Sequence, residues 1–158
     1  MSSSVLKAHS FEAKKDFELS HKKLGTIQYN EEDIIFFAQG ILGFDKKKRY
    51  ILVERESYLP FIWMISIDDP DVDFLLADPS IFLPSYKPNV SRRDLKELEI
   101  EHPQRPKMYV IVTLKQDIYQ STSNLSGPIL LNAAKKLGKQ LVLLDDSYST
   151  KHRILRAE

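Results

Sequence analysis

The chain has 158 residues, 42% of them apolar, and its 23 basic and 22 acidic side chains leave a net charge of +1. That length suits one domain with a core that needs no covalent staple, and the absence of cysteine excludes disulfides, thiolate metal sites and a cysteine nucleophile. No apolar run approaches the roughly 20 residues that cross a bilayer, and the N-terminus lacks the continuous apolar core of a signal peptide, so a cytoplasmic protein without membrane contact is expected.

Residues 1–15 read as a mobile extension, because Ser2, Ser3 and Ser4 lead into scattered charges with no stable period. The folded domain is expected over 16–158. From Phe17 onward short apolar runs alternate with turn residues. Thr26–Tyr29 alternates with Ile27 and Tyr29 on one face, Ile34–Phe37 is continuous, and Gln39–Gly43 supplies a turn. Tyr50–Val53, Phe61–Ile67, Phe74–Ala77, Met108–Leu114, Ile118–Ser121 and Leu141–Leu144 continue the series. Such spacing predicts an all-β, antiparallel sandwich or barrel.

Seven of the eight prolines fall between Pro60 and Pro106, which forbids a long helix there. Ser91–Leu98 is the best helix candidate, with Ser91 placed to cap it and Leu95 and Leu98 on one face. At most one or two short helices are expected. Ile129–Leu137 suits a helix by propensity or a hairpin by context. The apolar run that follows so soon favours the hairpin, with a strand over Ile129–Asn132, a loop across 135–139 and a return strand from Gln140.

Chemistry is sparse. The histidines at 9, 21, 102 and 152 have no ligand spacing and read as isolated surface residues. No nucleophile elbow or phosphate loop is present. Gly40 and Gly43 form a Gly-x-x-Gly, read as a tight turn with buried flanks Phe37, Ile41, Leu42 and Phe44 rather than as a nucleotide clamp. The basic run 46–49 reads as a solvated tip between strands, its alternative being RNA contact.

No basic residue lies between Arg55 and Lys87, an interval that holds Glu56, Asp68, Asp69, Asp71, Asp73 and Asp78. Asp68-Asp69-Pro70-Asp71 is good turn chemistry. The same block would repel nucleic acid and attract basic protein surfaces.

Four ordered blocks carry a resemblance. They are Leu24–Ile27 with Glu32–Phe44; Pro60–Trp63 with Ser66 and Asp68–Pro70; Phe74–Pro79 with Tyr86–Pro88; and Thr122–Asn132 with Gly138–Gln140 and Tyr148. From about Phe17 to Leu155 the chain resembles the flagellar assembly factor family FliW, apart from a longer N-terminal extension and Gly127 where alanine is common. The resemblance implies a compact β-barrel-like fold, no enzymatic activity and no cofactor. It also implies two protein partners, flagellin and the RNA-binding translational repressor CsrA. In that scheme the protein holds flagellin in the cytoplasm and, once flagellin is exported, binds CsrA and relieves repression of flagellin mRNA. CsrA is a small basic dimer, so Asp68, Asp69, Asp71 and Asp73 are the candidate residues for it. Phe61, Tyr86 and Tyr148 are candidate anchors for apolar flagellin helices, with Phe61 and Trp63 alternatively core. Asn124 and Asn132 are expected to satisfy turns and backbone.

Overall fold

The computed structural model describes residues 15–144 and 146–155. All but the last residue of the expected extension, 1–15, lies outside them. Eleven strands are present among the described residues: β1 (Phe17–His21), β2 (Gly25–Tyr29), β3 (Ile35–Phe37), β4 (Arg49–Val53), β5 (Ile62–Ser66), β6 (Asp73–Ala77), β7 (Lys107–Thr113), β8 (Thr122–Ser123), β9 (Ile129–Asn132), β10 (Leu137–Gln140) and β11 (His152–Arg153). One α-helix, α1 (Arg92–Glu97), joins them. Four single-turn 3-10 segments complete the order.

Seven strands close on themselves in the order β7-β6-β5-β4-β3-β10-β9, with β9 returning to β7. The result is a mostly antiparallel barrel, as expected, with one parallel pairing between β10 and β3. β7 is shared along its length: Lys107–Tyr109 pairs with β9, and Val112–Thr113 with β8.

The long apolar runs follow from this closure. Alternate residues point to opposite faces of a strand, and here both faces are covered. Ile35, Phe37, Tyr50, Met64, Leu76, Ile129 and Leu131 fill the barrel. The intervening Ile51, Val53, Trp63, Ile65 and Leu75 face outward, where the β1–β2 hairpin covers them with Leu19 and Ile27. Strands buried on both faces read as continuous apolar runs rather than as alternation. β10 contributes Gly138 opposite Phe37, since a Cβ there would overlap the phenyl ring.

Several expected elements fall elsewhere. Ile118–Ser121 is not a strand: Ile118–Gln120 forms a 3-10 turn because the Asp117 carboxylate accepts the Tyr119 N–H at 3.0 Å. The return strand starts at Leu137 rather than Gln140, because Lys136 takes the left-handed conformation (φ 57°) that closes the turn after β9. Leu141–Leu144 extends β10 irregularly. The Leu141 and Leu143 N–H groups donate to Pro128 and Ser126 carbonyls, but Pro128 has no N–H to return and the ladder stops. Gly40 and Gly43 do form a left-handed turn, at φ 67° and 88°. Of its expected buried flanks only Phe37 and Ile41 are buried, whereas Leu42 and Phe44 are exposed.

α1 forms where Ser91 and Asp94 make a reciprocal capping box: the Ser91 hydroxyl accepts the Asp94 N–H and the Asp94 carboxylate accepts the Ser91 N–H. Leu95, Leu98 and Ile100 then pack on Leu130 and Leu141 of the barrel wall. Lys139 pins the helix by bridging Asp94 at 2.9 Å and Glu97. Burial opposes the charge on Lys139, but its hydrogen bonds to Glu97 and Asp94 outweigh it and hold the ammonium above its ordinary range. Burial likewise opposes the Asp94 carboxylate, and Lys139 and Ser91 outweigh it and hold it low. Stability from the lowered Asp94 is present above its unfolded pKa and lost as pH falls through its folded one; that from Lys139 is present below the ordinary lysine pKa and lost as pH rises through the raised value. Lys139→Met is therefore expected to cost about 1 kcal/mol near neutrality. Urea melts should show the difference from wild type shrinking below about pH 4.

Candidate functional site

The sequence-nominated residues sort into four places. The first is the β5–β6 turn. Its aspartates build it as expected: the Ser66 hydroxyl accepts the Asp69 N–H, the Asp69 carboxylate accepts the Asp71 N–H at 3.2 Å, and the Asp69 carbonyl accepts the Val72 N–H at 2.8 Å. The basic run lies directly against it. Arg49 pairs with Asp68 at 2.5 Å and Lys47 reaches Asp69 at 4.0 Å. Lys48 donates to the Ala38 carbonyl at 2.6 Å. Two aspartates of the turn are thus each paired with a base of the run. Asp71 is the aspartate of this turn whose carboxylate has no ion pair among the described residues.

Asp73 points elsewhere. It meets His21 Nε2 at 2.6 Å, and His21 is buried rather than a surface residue. His21 Nδ1 accepts the N–H groups of Lys23 and Leu24, at 3.3 and 3.1 Å. The ring therefore carries its proton on Nε2 and donates to Asp73. Edge contact with Trp63 at 5.3 Å fixes the ring in place. This constellation staples the β1–β2 hairpin to the barrel. Alternation of Phe17, Leu19 and His21 was the signal for β1, masked by a polar residue at a buried position.

The aromatic candidates divide. Tyr86 and Tyr148 come together edge-to-face, centroids 4.7 Å apart. The Tyr86 hydroxyl donates to the Leu125 carbonyl at 2.6 Å, and the Tyr148 hydroxyl accepts the Lys87 N–H at 3.2 Å. Burial pushes the Tyr86 hydroxyl well above the ordinary phenol range, with Tyr148 adding to the shift. Phe61 is not brought to them; it is half-buried beside Phe82, Ala77 and Val112. Trp63 is core. Asn124 accepts the Ser126 N–H, and Asn132 donates to the Leu98 carbonyl and accepts the Lys135 N–H, as expected of turn residues.

Beside Tyr86 runs a groove of about 580 Å³, walled by Tyr86–Pro88, by Leu95 of α1 and by 102–106, with Met108 on its floor. A second hollow of about 720 Å³ adjoins it, sharing Leu95 and His102. Sequence reading missed the groove because its parts are apolar singletons separated by prolines. Leu42 and Val142, 71% and 57% exposed, meet at a further hollow, and Leu144 is 93% exposed. Among the described residues no cluster of three or more histidine, aspartate or glutamate side chains could hold a metal ion.

A sequence model of the FliW protein family matches residues 18–154. The chain is 38% identical over 139 residues to the flagellar assembly factor FliW of Caldanaerobacter subterraneus subsp. tengcongensis, spanning 87% of this chain and 93% of that protein. It is 37% identical to the Geobacillus kaustophilus protein of the same description over 137 residues, 87% and 94% of the respective lengths. A crystal structure of the flagellar assembly factor FliW superposes with a TM-score of 0.84 at 35% identity, covering 90% of this chain and 99% of that one.

Proposed function

The chain belongs to the FliW family of non-enzymatic flagellar assembly factors, and from that membership we propose that it holds flagellin in the cytoplasm and, when freed, binds and antagonises CsrA. The observation that carries the flagellin half is the convergence of Tyr86 and Tyr148. Residues 62 apart in sequence meet beside an apolar groove, where rigid, half-exposed aromatics serve as anchors for an apolar helical face. Titrating monomeric flagellin from the same organism into the protein by calorimetry tests this. Saturable one-to-one heat is expected; none at micromolar concentration, with folded protein, overturns it.

The CsrA half assigns the β5–β6 turn to the basic partner. Asp71 offers a carboxylate with no ion pair among the described residues, and the Arg49–Asp68 and Lys47–Asp69 pairs are solvent-exposed, each worth about 0–1 kcal/mol and cheap to exchange for basic groups on CsrA. Asp73 holds the β1–β2 hairpin through His21 rather than facing a partner. Asp68→Lys, Asp69→Lys and Asp71→Lys combined should weaken CsrA binding about tenfold or more at physiological salt and leave the barrel folded. Unchanged affinity removes the turn from the interface. RNA binding by the basic run is disfavoured, because Lys47 and Arg49 face carboxylates and Lys48 a carbonyl.

A further inference from the structure

We propose that the groove beside Tyr86 is a docking site for an acidic amphipathic peptide segment, one whose apolar side chains are flanked by carboxylates. This inference rests on the protein-binding reading above and specifies the chemistry of the segment the groove takes.

Three observations carry it. The lining is largely aliphatic: Pro88 is buried and Val90, Leu95 and Met108 are half-buried, so a partner gains by burying leucine- or methionine-like groups there. The groove's 580 Å³ falls within the roughly 300–1,000 Å³ of clefts that hold specific ligands.

Charge sets the sign of the partner. Lys87 and Arg105 stand exposed on the rim with no ion pair among the described residues, and no carboxylate lines the groove. In the adjoining hollow Arg92 and Lys96 are likewise unpaired, while Glu99 is tied to Lys135 at 3.1 Å and Glu101 is the one remaining acid. The rim of this apolar trough is thus positive and unopposed by any carboxylate of its own lining, and complementary potential favours a negatively charged partner.

The walls are also held in place before any partner arrives. Tyr86 is bonded to Leu125, the Lys87 backbone to Tyr148, and α1 is capped by Ser91 and pinned by Lys139. Preorganised walls avoid an ordering cost on binding. A largely aliphatic lining selects a peptide over RNA, whose bases seek exposed aromatic faces for stacking; here the Tyr86 ring is turned edge-to-face on Tyr148.

The test is fluorescence anisotropy with a labelled synthetic helix of about 18 residues, leucines on one face and glutamates flanking them. The intact protein should bind it saturably, more weakly as salt rises. The double variant Lys87→Glu, Arg105→Glu should lose about tenfold and should instead prefer the same helix with lysines replacing its glutamates. Both side chains are exposed, so thermal melting should be unchanged; the milder pair Lys87→Gln, Arg105→Gln keeps the test if the reversal disturbs folding. No saturable binding, equal affinity for wild type and variants, or tighter binding of a single-stranded RNA that the same reversal abolishes would each overturn the proposal. Flagellin that binds wild type and double variant alike would sink this inference and leave the flagellin reading standing.

Discussion

Gly138→Ala is expected to destabilise the barrel by about 2–3 kcal/mol, lowering the thermal midpoint by roughly 5–10 °C in a domain of this size. Gly138 lies in β10, beside Phe37 of β3 in the single parallel pairing that helps close the barrel. Its added Cβ would lie only 2.4–2.7 Å from three carbons of the Phe37 ring, well inside van der Waals contact. Phe37 is fully buried and packs edge-to-face on Tyr50 at 5.4 Å, so it has nowhere to turn. Gly43→Ala is the matched control: its φ of 88° is strained for alanine, but nothing lies within 4 Å of the new Cβ. That substitution should cost only the roughly 1–2 kcal/mol of left-handed backbone. Phe37→Leu introduced with Gly138→Ala should recover part of the loss, and strict additivity in a double-mutant cycle would contradict the steric account.

His21→Leu should cost about 2–4 kcal/mol, measured by urea unfolding. Leucine nearly matches the volume but leaves two amides, those of Lys23 and Leu24, without their acceptor and Asp73 without its donor. Asp73→Asn keeps an oxygen that accepts the Nε2 proton and should cost about 1 kcal/mol or less. Equal losses from the two substitutions would mean that the carboxylate charge, rather than the tautomer-specific hydrogen bonds, holds the hairpin. Because Asp73 is committed to His21, its contribution to partner binding should be small beside that of Asp71.

Most of the barrel was legible because strand runs such as Tyr50–Val53 and Phe74–Ala77 are apolar on both faces, and no local signal competes with them. What escaped depended on distant partners or on a local cap that outweighs side-chain type. β1 reads as polar until His21 is seen meeting Asp73, fifty-two residues away. Ile118–Gln120 looks like a strand by side-chain type, but the Asp117 cap settles it as a turn. Gly138 looked like a turn residue and is a strand residue making room for a ring, while the left-handed position fell to Lys136.

The candidate site was legible only in part. The aspartate turn followed from its own local chemistry, but its pairing with Lys47 and Arg49 depends on register between β4 and β5, which pairs Tyr50 with Ser66 and so sets the basic run beside the turn. Tyr86 and Tyr148 could be nominated singly; their contact required the closed fold.

The exchange of partners is the centre of the functional account, and competition measures it most directly. CsrA would be titrated into the protein alone and into the protein saturated with monomeric flagellin. Tight CsrA binding to the free protein, abolished or strongly weakened by bound flagellin, is the predicted result. CsrA affinity indifferent to flagellin, with both partners bound together, would contradict it.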